Sequence, residues 1–271
     1  MIDTALYVEP VWLDPAYHRN LKLGELTDFS ISSRMHAAFL AATEFPQASV
    51  ELPILFIATG ERDAMGRATV SPIVLLGVVP GENLQVEGTR WDARYIPASI
   101  RRYPFFSSGT SNAEPARVFV DKAWSGLSES VGEPLFEADN QPAPALLRVM
   151  DFLQRFEQEA QRTRAFCNRV LELDLLKEMK ADLTMGNGQT LTIDGFEVVD
   201  EEKVQNLPDA VVLELHRNGM LMLLQLHLLS LTNMRHMVNR KWRRVQRAAA
   251  AVDAATPTVA DALSSAARPG A

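Results

Sequence analysis

The feature that most constrains the fold is a strongly apolar helical pattern in the last third of the chain, centred on residues 219–231. Between residues 221 and 229 leucine and methionine occupy both sides of the helix, and a helix that is apolar all round is normally covered on every side. The sequence therefore predicts a buried central helix within residues 195–240, in which Leu223 and His227 are almost inaccessible. At about 100° per residue, its main apolar face consists of Leu213, Leu223, Leu224, Leu231, Met234, Met237 and Val238.

The same pattern carries signals of where the helix begins and bends. Asn206 followed three residues later by Asp209 resembles a capping box, and Asn218-Gly219 can divide the helix into two. The apolar run is shorter than the roughly 20 residues that cross a bilayer, and it contains Gln225 and His227. We therefore expect no transmembrane segment.

Composition narrows the class of protein. The chain has 271 residues and is 47% hydrophobic, which is enough for a substantial core without disulfide support. The single cysteine, Cys167, fits a reducing compartment, and residues 1–15 lack the basic and apolar regions of a secretory signal. We therefore expect a cytoplasmic protein. A formal net charge of −7 argues against nucleic-acid binding, which needs a basic face.

The first half of the chain reads as strands. Residues 52–57 and 72–79 are short apolar runs bounded by Gly and Pro, and the polar loop between them favours an antiparallel pair. Shorter strands are predicted at residues 84–86 and 117–121.

The second half reads as helices and one hairpin. From Leu146 to Val170 apolar residues recur at intervals of three and four residues. This spacing predicts an amphipathic helix of about seven turns, with Cys167 packed on its apolar stripe. Residues on either side of Gly186-Asn187-Gly188 alternate between apolar and polar, which predicts a β-hairpin.

The predicted fold is α+β, with an antiparallel sheet from the N-terminal half packed against the long helices and hairpin of the C-terminal half. We expect one domain over residues 1–247, with a possible subdivision at residues 141–144, where composition changes from strand-like to helix-like. Residues 248–271 are low in complexity and predict a disordered tail.

A candidate binding segment surrounds two consecutive arginines. Pro97 suits the first turn of a short helix and Pro104 its end, which brings Arg101 and Arg102 close to aromatic residues. One interpretation is structural, with arginine stems packed over rings, and the other is recognition of an acidic or planar group. The candidate ligand- or partner-binding residues are His36, Glu44, Trp91, Tyr95, Arg101, Arg102 and Tyr103.

Residues 235–247 form a second basic segment, RHMVNRKWRRVQR. Its simplest interpretation is the C-terminal end of a helix, where cations complement the helix dipole. An acidic partner, a membrane surface or a nucleic acid are the alternatives.

Familiar catalytic and cofactor motifs do not occur in the sequence. There is no Walker loop, dinucleotide-binding glycine motif, HExxH, CxxC or GxSxG, and we expect no cofactor. His216 and His227 would lie about 16 Å apart on an unbroken helix, so we expect no metal site. If the protein is an enzyme, its mechanism is not one that a known motif identifies. The polar residues proposed for its active site are then His36, Glu44, Tyr95, Arg101 and Arg102.

An ordered series of phrases resembles one known family. The phrases are EFPQA at 44–48, LLGV at 75–78, W-x-x-x-YIP at 91–97, IRRYPF at 100–105, GEPLF at 132–136, TRAFC at 163–167, GFEVVDEEK at 195–203, LELHRNG at 213–219 and HLLSL at 227–231. Together they resemble the bacterial SapC family over residues 8–240. The resemblance implies a role near the bacterial surface layer, or an accessory role beside TonB-dependent uptake and oxygenase or halogenase-like modification systems.

Two functions follow from these observations. The first is a non-catalytic binding or accessory protein, whose partner is an unknown protein or an acidic small molecule. The second is an enzyme acting on a small or peptide substrate. Homo-oligomerisation stays open, because an apolar helix that is not covered within the chain can be covered by a second copy.

Overall fold

The structure is a computed structural model that describes residues 6–63, 65–108, 117–186, 188 and 190–255. Antiparallel sheets and several helices confirm the predicted α+β class. Within the described residues no helix is long and apolar enough to cross a membrane.

The strands are β1 (Pro10–Trp12), β2 (Lys22–Leu23), β3 (Ala37–Phe39), β4 (Ile54–Arg62), β5 (Ala68–Leu75), β6 (Val86–Glu87), β7 (Arg90–Trp91), β8 (Phe105–Ser107), β9 (Val118–Asp121), β10 (Leu127–Ser128), β11 (Glu133–Pro134), β12 (Leu176–Thr184) and β13 (Thr190–Val199).

Helices are concentrated in the second half of the chain. They are α1 (Pro15–His18), α2 (Phe45–Ala48), α3 (Ala98–Arg101), α4 (Pro144–Glu172), α5 (Glu201–Gln205), α6 (Asp209–Arg217), α7 (Met220–Ser230) and α8 (Asn233–Ala255), with 3₁₀ turns at Ser30–Ser32 and Ala42–Glu44. The predicted amphipathic helix is confirmed as α4, which begins at Pro144.

A five-stranded antiparallel sheet forms the centre of the molecule, in the order β12-β13-β4-β5-β3. The predicted pair of strands is β4 and β5, in which Ile54 lies opposite Val74. The predicted hairpin is β12 and β13, and it joins this sheet where Glu197 pairs with Phe56. The hairpin therefore extends the N-terminal sheet, whereas the sequence had placed it beside the sheet with the helices.

Helix α4 contributes the largest side chains to the core beside this sheet. The ring of Phe166 lies 6.0 Å from that of Phe45 and 6.3 Å from that of Phe56, measured between centroids. Cys167 is buried in the same cluster, as its place on the apolar stripe predicted. This cluster combines residues from both sides of the predicted boundary at 141–144.

The prediction of one buried central helix was wrong. The pattern is divided among four helices, and Gly219 separates α6 from α7 with a φ of +79°, a left-handed conformation that glycine adopts readily. His227 is fully buried, but Leu223 is only half-buried, and Met222 and Leu229 are 56% and 60% exposed. In the described structure α7 is therefore covered on one side, because only that side packs on the sheet.

Two side chains of α7 fasten that covered side to the central sheet. The backbone N–H of Val199 in β13 donates to Nε2 of His227 at 3.0 Å. The backbone N–H of Ile54 in β4 donates to Oγ of Ser230 at 2.9 Å. Polar groups on this apolar helix thus satisfy backbone amides at the ends of two strands.

The last helix is longer than the sequence predicted. Helix α8 continues through Ala255, so the first eight residues of the predicted tail are helical, and residues 256–271 lie outside the described part of the chain. The basic residues 235–247 consequently lie within the helix rather than at its C-terminal end. Several of them pair with the segment that contains β6 and β7, as in Arg240 with Asp92, Lys241 with Glu82 and Arg247 with Glu87.

Candidate functional site

The candidate binding segment is held in place by one buried carboxylate. Oε1 of Glu44 accepts a hydrogen bond from the backbone N–H of Ala98, at 2.7 Å, and Oε2 accepts one from the N–H of Ala41, at 2.8 Å. Oε1 also accepts the hydroxyl of Tyr95 at 2.5 Å. Glu44 therefore fixes the start of α3 on the turn after β3, and its carboxylate is fully engaged by these donors.

Tyr95 lies between two glutamates. Its backbone N–H donates to Oε1 of Glu51 at 2.7 Å, while its hydroxyl donates to Glu44. Burial, together with the hydrogen bond to Glu44, raises the pKa of the Tyr95 hydroxyl well above its ordinary value. The hydroxyl is consequently a fixed donor and not a base near neutral pH.

Arg101 lies across two aromatic rings. Its Nε donates to the carbonyl of Ile96 at 2.9 Å, and its guanidinium lies 5.8 Å from the Tyr95 ring centroid and 5.6 Å from that of Phe152. The nearest carboxylate oxygen, in Glu44, is 4.0 Å away, and the arginine side chain is 44% exposed. An exposed pair at that separation contributes little to stability.

Arg102 is the residue of this segment whose charge is least compensated. Its guanidinium lies 4.8 Å from the ring centroid of Phe156, which in turn packs edge-on against Phe39. The Nε atom is buried without a hydrogen-bond partner, and the guanidinium makes no hydrogen bond or ion pair with any described residue. Arg102 therefore presents a planar cation whose hydrogen-bonding capacity is unused within the fold.

These residues form one surface, which we call the arginine face. Its members are Phe39, Tyr95, Arg101, Arg102, Phe152 and Phe156. The four rings are partly exposed, so the two cations lie among accessible apolar edges. Such a surface can accept a carboxylate or phosphate that is attached to an apolar or planar group.

The other residues of the predicted site lie elsewhere. His36 is exposed, with no side-chain contact to the arginine face among the described interactions. Tyr103 points inward and donates to Oδ2 of Asp121 at 3.0 Å, and burial raises its pKa above the ordinary value. Trp91 donates from Nε1 to the carbonyl of Tyr95 at 3.0 Å. The polar group expected for an enzyme is thus only partly assembled, as Glu44, Tyr95 and Arg101.

Sequence reasoning missed the contribution of α4 to this surface. Phe152 and Phe156 are four residues apart and therefore lie on the same side of the helix. That spacing was visible in the sequence, but nothing local indicated that this side would meet two arginines some fifty residues earlier.

A cleft lies beside the arginine face, between the β7 segment and α8. It has two lobes of about 240 and 320 Å³, both lined by Glu51. The smaller lobe is lined by Val50, Glu51, Gln85, Asn233, His236, Met237, Arg240 and Arg243, and the larger by Glu51, Arg90, Trp91, Asp92, Ala93 and Arg94. Trp91 of the predicted site therefore belongs to this cleft.

Two other residues with reactive side chains are packed into the core. Burial raises the pKa of the Cys167 thiol to about 12, which keeps the sulfur protonated and unreactive near neutral pH. Burial lowers the pKa of His227 to about 3, so its ring is neutral in the fold. Among the described residues, no group of three histidine, cysteine, aspartate or glutamate side chains is arranged to hold a metal ion.

Comparison with known proteins places most of this structure in one family. The sequence model of the family described as SapC matches residues 13–237, which include the arginine face, the central sheet and helices α4 to α7. No curated protein and no solved structure matches the chain.

Proposed function

The chain belongs to the SapC family, and on that premise we propose that it is a non-catalytic binding protein that recognises an anionic group on the arginine face. The observation that carries this proposal is the state of Arg102, which is stacked on Phe156 and has no polar partner in the described structure. The terminal nitrogens of this guanidinium are not among its buried atoms and have no acceptor in the described part of the chain. A bound carboxylate or phosphate supplies acceptors to them.

The surroundings of Arg102 favour binding over catalysis. Glu44, the acid nearest to the face, is occupied by two backbone amides and the Tyr95 hydroxyl, so it is not available as a general base. The partly exposed rings of Phe152 and Phe156 supply apolar contact next to the cations. We therefore propose an acidic protein partner or an acidic small molecule as the ligand.

The cellular role is proposed from the resemblance of the sequence. SapC-like proteins are associated with bacterial surface layers and with TonB-dependent uptake or modification systems. As part of the same proposal, this protein acts as a cytoplasmic accessory factor of such a system. The low cysteine content supports that compartment.

The test is capture of the ligand from an extract of the bacterium that encodes the protein. Immobilised wild type, Arg102→Ala and Arg102→Lys are compared, and bound proteins and acidic metabolites are quantified by mass spectrometry. We expect at least about a tenfold loss with Arg102→Ala, equivalent to about 1.4 kcal/mol. Lysine keeps the charge but loses the planar fork, so Arg102→Lys should also lose binding.

A matched control separates loss of the site from loss of the fold. Arg155→Ala removes another exposed arginine of this region, one that pairs with Asp151 within α4, and it should capture the same ligands as wild type. If Arg102→Ala captures an unchanged set while its melting temperature falls, the arginine face is structural and the proposal is wrong.

A further inference from the structure

The floor of the smaller lobe of the cleft is made of two buried carboxamides. Gln85 and Asn233 are 2% and 6% exposed. Asn233 donates from Nδ2 to the carbonyl of Ser49 at 2.8 Å, and Gln85 donates from Nε2 to the sulfur of Met237 at 3.2 Å. Both amide nitrogens thus bond to the protein, while neither amide oxygen accepts a hydrogen bond from a described residue. The floor therefore offers acceptors.

The wall shared by the two lobes offers a third acceptor. Oε1 of Glu51 accepts the backbone N–H of Tyr95, and its second carboxylate oxygen accepts no hydrogen bond from the described part of the chain. A negative carboxylate and two amide oxygens around one lobe favour a group that is rich in donors and positively charged. An ammonium group has both properties.

The rim of the cleft has the opposite character. Four arginines line the two lobes, against two carboxylates in Glu51 and Asp92. Arg240 is paired with Asp92, whereas Arg243 donates only to the carbonyl of Asn239 in its own helix, and Arg94 makes no described hydrogen bond or ion pair. Burial lowers the pKa of Arg240 and the charges of Arg244 and Arg243 act in the same direction, whereas the charges of Asp92 and Glu51 raise it. The rim therefore has positive charge available for carboxylates.

We propose that the cleft binds a free acidic α-amino acid, with its ammonium group on Glu51, Asn233 and Gln85 and its carboxylates on the arginines of the rim. The ammonium group would occupy the smaller lobe, which has a volume of about 240 Å³. This site is distinct from the arginine face and does not depend on it. The two surfaces meet at Tyr95, whose backbone contacts Glu51 and whose ring contacts Arg101.

The experiment uses calorimetric titration of the full chain with three related probes. L-Glutamate carries the ammonium and two carboxylates, glutarate lacks the ammonium, and 4-aminobutyrate lacks one carboxylate. We expect glutarate and 4-aminobutyrate each to bind at least about tenfold more weakly than L-glutamate, equivalent to about 1.4 kcal/mol. Equal affinity for glutarate and L-glutamate would overturn the proposal. So would the absence of saturable L-glutamate binding up to about 10 mM.

Two substitutions separate the roles of wall and rim. Glu51→Gln keeps an oxygen for the Tyr95 N–H but removes the negative charge. It should therefore weaken the binding of L-glutamate at least about tenfold without weakening the binding of glutarate. Arg243→Ala should weaken both probes. If Glu51→Gln weakens the two probes equally, the ammonium does not lie on Glu51 and the proposal fails.

Two controls show whether an effect is specific to the cleft. Arg235→Ala changes an exposed arginine of α8 that does not line the cleft, and it should leave L-glutamate binding as in wild type. Arg102→Ala should also leave it unchanged. A loss of L-glutamate binding with either control would show that the cleft does not determine binding.

Discussion

His227 makes the stability of this protein depend on pH in a way that a single substitution can remove. The side chain is fully buried on α7, where Nε2 accepts the N–H of Val199. Burial lowers its pKa from 6.5 to about 3. Between these values the unfolded chain binds a proton that the folded chain excludes, so stability rises with pH across this window and is lost as pH falls below about 6.5.

The size of the effect follows from the difference in pKa. At pH 7.5 the ring is neutral in both states and contributes almost nothing. At pH 5.0 the unfolded chain is about 1.5 units below the pKa of its histidine, and each unit corresponds to about 1.36 kcal/mol. His227 should therefore remove about 2 kcal/mol of folding free energy between pH 7.5 and 5.0.

Urea denaturation at these two pH values measures this loss. His227→Gln offers a neutral side chain with an amide oxygen for the Val199 N–H, and it should lose about 2 kcal/mol less than wild type on acidification. His216→Gln changes an exposed histidine of α6 and should follow wild type. If His227→Gln and wild type lose the same free energy of unfolding, His227 is not held neutral in the fold and the reasoning is refuted.

Two further predictions concern how α7 is held, and urea denaturation near neutral pH tests both. Leu224 is fully buried, so Leu224→Ala should cost about 2–5 kcal/mol, whereas Met222→Ala, on the exposed side, should cost under about 1 kcal/mol. Equal costs would mean that the exposed side is covered in solution. Ser230→Ala removes the acceptor of the Ile54 N–H and should cost about 1–3 kcal/mol, and a neutral result would show that this amide finds another partner.

The elements that the sequence predicted well are those specified by local chemistry. The glycines on either side of residue 187 predicted the hairpin of β12 and β13, and Pro97 predicted the short helix α3. The recurrence of apolar residues at intervals of three and four from Leu146 predicted the helix α4. Each of these signals lies within a few residues of the structure it predicts. Strand ends were less well predicted, since β5 begins four residues before the predicted strand and also ends earlier.

The interpretation of the apolar pattern was wrong for a physical reason. Apolar residues all round a helix permit coverage on every side, but the number of covered sides depends on which elements pack there. Helix α7 packs against α6, α2, β13 and β4, and in the described structure Met222 and Leu229 remain exposed on its other side. The division at Asn218-Gly219 was predicted and is confirmed, but the pattern did not show the other breaks, which separate α5 from α6 and α7 from α8.

The candidate site was predictable only where its residues are close in sequence. Tyr95 and Arg101 are six residues apart, and a helical turn after Pro97 brings them together. Tyr103 is also close in sequence, but it turns inward to Asp121, which the sequence did not indicate. Phe156 reaches Arg102 from a distant segment and Phe39 packs against Phe156, so no local pattern could have placed these two rings on the face.

The unpaired state of Arg102 is not the result of a shortage of acids. The chain has 34 aspartates and glutamates against 27 lysines and arginines, so a carboxylate could have been placed beside it. Two acids of this region have another use, because Glu44 accepts the hydroxyl of Tyr95 and Glu51 accepts its backbone N–H. The Arg102 guanidinium contacts the ring of Phe156 and makes no hydrogen bond or ion pair with a described residue. Internal donors thus engage the carboxylate of Glu44, whereas the Arg102 cation stays available to an anion from outside the chain.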